Sequence, residues 1–137
     1  MEAVSLKYGQ QGELGFEIDP RRVVAHHRGP APCSDLLSRF RSALRAPLDF
    51  PSLTQVCVPG DKVVLALDRH TPGAKELVAA VWDMLDQRGV SAGDILILQP
   101  VALDAAKLPD PRALLPEGVR QEMQWQIHDP TDTKKHA

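Results

Sequence analysis

Residues 59–98 constrain the fold more than any other stretch of the chain. Pro59-Gly60-Asp61 has turn composition, and Val63-Val64-Leu65-Ala66-Leu67 is a continuous apolar run of strand length. Thr71-Pro72 offers an N-cap with proline at the first helical position, and Leu77, Val78, Val81, Trp82 and Leu85 then recur at helical spacing. Gly89 stands where a left-handed C-terminal cap is needed, and a second apolar run, Ile95-Leu96-Ile97-Leu98, follows Gly93-Asp94. Two strands separated by a helix pair in parallel through a right-handed crossover, and strands apolar on both faces belong in a covered sheet. The predicted fold class is therefore α/β, with a parallel βαβ-centred sheet covered by helices.

Around this centre the pattern is more local. From Leu6 to Ile18 the chain alternates, most clearly in Leu14-Gly15-Phe16-Glu17-Ile18, which predicts an extended or hairpin N-terminal portion. Its turn would use Gly9 to Gly12, with either Ser5–Tyr8 or Val23-Val24-Ala25-His26 as the partner strand. Ser34 is positioned as an N-cap with Asp35 in the first turn, and Leu36, Leu37, Phe40 and Leu44 mark residues 35–45 as an amphipathic helix. Beyond Pro100 the spacing predicts short helical turns at 103–107 and at Pro111–Leu115. The alternating Met123, Trp125 and Ile127 then read as a strand whose other face is polar through Gln124 and Gln126. Such a strand lies at a sheet edge or turns its polar face to a site. The prolines cluster near 30–32, 47–59 and 100–116 and mark connections. With 137 residues, 36 of them Leu, Ile, Val or Phe, one packed domain over 1–137 is expected.

Charge and composition exclude several classes of function. A formal charge of −2 without a basic stripe argues against nucleic acid as a partner. The apolar runs are far shorter than the ~20 residues needed to span a bilayer, and the N-terminus lacks the order of a secretory signal. No membrane partner and a cytoplasmic location follow as expectations. Cys33 and Cys57 have no CxxC or CxxH companion and are expected to be reduced thiols.

In parallel α/β sheets, ligands sit beyond the carboxyl ends of strands, beside helix N-termini. Asp68-Arg69-His70-Thr71 occupies that place and combines a carboxylate, a guanidinium, an imidazole and a hydroxyl that suit an anionic or polyol ligand. The same residues also have a structural reading, with Thr71 capping the helix, Asp68 bonding loop amides, and Arg69 and His70 solvated. His128-Asp129 follows the last strand and is a weaker candidate for acid or base chemistry, an imidazole oriented by a carboxylate, against the alternative of a turn-forming Asp-Pro after a surface histidine. His26-His27 on a strand would point to opposite faces and is not expected to hold a metal. The chain has no GxGxxG, GxxxxGK[ST], GxSxG or HExxH motif.

Taken in order, several short segments carry a resemblance. They are Tyr8-Gly9, Ala43-Leu44-Arg45-Ala46-Pro47 with Ser52-Leu53, Pro59-Gly60-Asp61-Lys62-Val63-Val64, Asp68-Arg69-His70-Thr71-Pro72, Gly89-Val90 with Asp94-Ile95, and His128-Asp129. Over residues 6–132 the sequence resembles the N-terminal domain of the nickel-dependent lactate racemases, most specifically in the strand that ends in an Asp-x-Thr-Arg-Pro-like loop. The resemblance implies an α/β domain of a two-domain enzyme that inverts a 2-hydroxy acid, with a nickel-pincer nucleotide as cofactor and paired histidines exchanging the hydroxyl proton. The family's loop carboxylate matches Asp68. Thr71 stands where the family has its substrate-binding Arg, which removes a bidentate carboxylate clamp, and Gln99-Pro100-Val101-Ala102-Leu103 replaces its Gly-x-His-Arg signature. No catalytic residue is therefore assigned. The cofactor-bearing segment would lie past residue 137, so the chain is expected to be a fragment whose partner is the rest of a parent chain or a second domain, with a free-standing remnant as the alternative. Two functional expectations follow: a racemase or epimerase domain whose altered site does not predict lactate itself as substrate, or a non-catalytic ligand-binding or assembly module that retains the fold.

Overall fold

The computed structural model describes residues 2–8, 11–25, 27, 29–101 and 108–131, and the chain divides into two compact units, Met1–Pro32 and Cys33–Ala137. Residues Gly9 and Gln10 of the expected hairpin turn, His26, the predicted turn at 103–107 and the polar end from Asp132 lie outside the described residues.

The first unit is built on an antiparallel hairpin of β1 (Glu2–Tyr8) and β2 (Gly12–Ile18). The partner of the Leu14–Ile18 alternation is thus the strand that contains Ser5–Tyr8 and not Val23–His26, with the register displaced so that Glu2–Leu6 lies opposite Leu14–Ile18. Val4 pairs with Phe16 and Leu6 with Leu14, so apolar residues share one face, while Ser5, Lys7, Glu13 and Glu17 share the other. Ser5 donates a hydrogen bond to Glu13 across that polar face. Asp19 caps the short 3-10 turn Pro20–Arg22 by accepting from the Arg21 amide.

The second unit contains the expected parallel sheet. Strands β3 (Val63–Ala66), β4 (Ile95–Pro100) and β5 (Gln124–His128) are ordered β3-β4-β5, and both pairings are parallel. Val63 registers with Ile95, Leu65 with Ile97, and Ile97 with Trp125, which stacks one apolar row across the sheet. That row packs on α3 (Ala74–Asp86) through Val78, Val81 and Leu85, with Leu115 and Met123 from the connection to β5 closing the same core. Leu85, Ile95 and Ile97 are almost completely removed from water. The opposite row is wetter: Val64 is 57 % exposed, and Gln124 and Gln126 are exposed, as the alternation around Trp125 predicts for a strand at the edge.

Helix α1 (Leu36–Arg45) lies on α3, with Leu37 and Leu44 directed at the core and Arg41 paired with Asp83 at 2.5–2.6 Å; the four-residue helix α2 (Leu53–Val56) packs beside both. Its N-cap is Asp35, whose Oδ1 accepts from the Ser38 amide at 3.0 Å, and not Ser34 as the sequence predicts. Asp and Ser are equally good caps, so composition could not choose between adjacent positions.

The start of α3 also differs from expectation. Its cap is Gly73, in the left-handed region at φ 65°, while the Thr71 hydroxyl donates to the Asp68 carbonyl at 2.8 Å. The chain must turn through residue 73 close against α1, where an added Cβ would lie 2.9 Å from Leu36 Cδ1. Gly73→Ala is expected to lower stability by about 1–2 kcal/mol, the typical cost of a left-handed conformation for a residue with a Cβ, and a thermal melt checks it. The end of α3 follows the sequence: Gly89 is left-handed at φ 76°, its amide bonds Asp86 and the Val90 amide bonds Leu85, with Leu85 and Val90 both in the core.

The Pro111–Leu115 segment is a pair of hydrogen-bonded turns and not helix; the helix, α4 (Glu117–Glu122), begins after Pro116. Six residues with one half-buried apolar side chain, Val119, carry too little periodicity to be read.

Candidate functional site

The parallel register carries all three strands to one carboxyl edge. Past the strand ends the pairing continues, with the Leu67 amide bonding the Leu98 carbonyl and the Val101 amide bonding the His128 carbonyl, both at 2.9 Å. A cavity of ≈ 380 Å³ opens there, with Ala66, Leu98 and Pro100 as apolar wall and Asp68, Gln99 and His128 as the polar lining residues. These two residues are sixty positions apart in sequence and meet because Pro100 registers with His128 while Asp68 directly follows Leu67. The strand order contains no reversal, so the cavity arises from the ends of neighbouring strands and not from the crevice of a doubly wound sheet.

Asp68 organises its own loop. Its Oδ1 accepts the His70 amide at 2.8 Å, and its carbonyl accepts both the Thr71 amide, at 3.2 Å, and the Thr71 hydroxyl. The carboxylate is exposed at the cavity mouth. Arg69 and His70 are not among the residues lining this cavity, although the sequence groups them with Asp68. Thr71 faces the other way, into a second cavity of ≈ 440 Å³ beside the start of α3 that also involves Leu36, Glu76 and Asp110. Within the loop, Asp68 thus lines one cavity, together with His128, and Thr71 lines the other.

The connection from β4 to β5 holds a polar network that the sequence did not reveal. The Arg112 guanidinium grips Asp110 through Nε at 3.1 Å and Nη2 at 3.0 Å, and Nη1 donates to the Arg120 and Met123 carbonyls at 3.1 and 2.8 Å. The same group lies 5.5 Å from the centre of the Trp125 ring, whose Nε1 donates to Gln99 Oε1 at 3.0 Å. Gln99 is 3 % exposed and is the buried polar residue of β4. Burial acts to raise the Asp110 carboxyl, but the Arg112 side-chain and backbone hydrogen bonds and the charges of Arg112 and Arg120 outweigh it, so Asp110 is held below the ordinary carboxylate range. No local signal in the sequence connects Arg112 to Trp125.

No protein-family profile matches the sequence, and no curated protein matches it. Among the described residues no group of three or more His, Cys, Asp or Glu side chains is placed to hold a metal ion. A nickel centre has no ligand set there, and no chemical step is derived through one. No helix among the described residues is long and apolar enough to cross a membrane.

Proposed function

We propose that the Cys33–Ala137 unit is a ligand-binding α/β module of the lactate-racemase N-terminal type, which takes a small hydroxylated molecule at the carboxyl edge of its sheet. The observation that supports this is the convergence of Asp68 and His128 on one cavity at the position where parallel sheets present ligand groups. Asp68 is an acceptor for ligand hydroxyls, the apolar wall excludes water from one side, and His128 supplies a second polar contact. Binding is the reading preferred over racemisation, because among the described residues His128 is the one histidine lining the cavity, whereas the chemistry implied by the resemblance uses a pair. Free Cys33 and Cys57 suit a reducing compartment, in keeping with a cytoplasmic protein.

Asp68→Asn tests the site. Asn keeps an oxygen for the His70 amide, so the loop is expected to hold and the melting temperature to move little. Loss of the charge-assisted hydrogen bond is expected to weaken a hydroxylated ligand by about 1–3 kcal/mol, measured by calorimetric or NMR titration of both proteins. A large fall in melting temperature with unchanged binding would assign Asp68 to the loop alone.

A further inference from the structure

We infer that the ligand of the carboxyl-edge cavity is uncharged and polyhydroxylated, of the sugar or cyclitol class, and not a carboxylate; this rests on the binding reading of the same site. Among the described residues the cavity is lined by one carboxylate, Asp68, one imidazole, His128, the amide residue Gln99, whose Oε1 already accepts from Trp125, and otherwise by apolar residues, with no Lys or Arg. Among the described lining residues a carboxylate ligand therefore meets a like charge and no guanidinium to clamp it, and two carboxylates confined together disfavour each other's ionised form. A polyol reverses each of these terms. Its hydroxyls donate to Asp68, whose two oxygens offer several acceptor sites beyond the one bond to His70, and adjacent hydroxyls match both oxygens at once. The C–H face of a sugar ring is apolar and fits the wall of Ala66, Leu98 and Pro100, where water is displaced without stranding a polar group. The volume of ≈ 380 Å³ is large enough for one sugar ring.

The test is an amide NMR titration of the full chain with D-ribose, D-glucose, myo-inositol, D-lactate and L-lactate, each at equal millimolar concentrations and one neutral pH. At least one of the three polyols is expected to shift the resonances of residues 66–68, 98, 99 and 128 saturably, with both lactates binding at least tenfold more weakly. In Asp68→Asn the polyol is expected to weaken about tenfold, while lactate is unchanged or tighter because the opposing charge is gone. Lactate binding more tightly than every polyol at these resonances overturns the inference and leaves the binding site standing. Absence of a saturable shift at these residues with any of the five overturns both.

Discussion

Arg112→Ala is expected to destabilise the protein by about 3 kcal/mol, because one side chain satisfies a carboxylate and two backbone carbonyls, and each hydrogen bond to a charged group is worth about 1.5–3 kcal/mol. The sum is discounted because the Arg112 and Asp110 side chains keep 20 % and 34 % exposure, where water competes for both partners. The truncation also uncovers the face of Trp125 and frees the end of α4 from β5. Urea unfolding should show an earlier midpoint with an unchanged slope. An accompanying pH dependence identifies the cause. The carboxyl of Asp110 is lowered in the folded protein, so its contribution is fully present above the unfolded value near ~3.9 and is lost as pH falls through the lower folded value. The acid limb of the wild-type stability profile should therefore be steeper than that of Arg112→Ala, in which the lowering is removed. A variant with wild-type stability and the same acid limb would show the network to be ornamental to folding.

Ile97→Ala is expected to cost about 4 kcal/mol, in the range of about 2–5 kcal/mol for truncating a buried isoleucine. Ile97 is fully buried on the central strand, registers with Leu65 on one side and Trp125 on the other, and packs under α3, so no neighbour can collapse into the space without moving a strand. Val64, on the opposite row of the sheet, is the control: at 57 % exposure, Val64→Ala should cost well under half as much. Equal losses at the two positions would mean that the sheet is covered on both faces to the same degree.

The parallel βαβ centre was determined by sequence alone. Its evidence is local and redundant: two apolar runs, a helical stripe between them and a glycine at the one position where a left-handed residue ends α3. The edge character of β5 was equally legible, since Gln124 and Gln126 alternate with core residues over a period of two. Helix starts were not. Ser34 against Asp35 and Thr71 against Gly73 are chosen by how the chain turns into α1 and α3, and the close approach of Leu36 to residue 73 is a contact between segments far apart in sequence.

The candidate site divides in the same way. The sequence placed Asp68 at a strand end and gave His128 a similar place, because strand ends are local features. That the two share a cavity, while Thr71 lines another, was decided by the parallel register of three strands and by the course of the loop after Asp68. Apart from the local Asp110–Arg112 pair, the network that joins Arg112 to Trp125 and Trp125 to Gln99 was decided by tertiary structure: such contacts depend on which backbones meet, and no spacing along the chain encodes that meeting. Hydrophobic periodicity specifies which residues are buried; only the packed sheet specifies which polar groups are left facing one another.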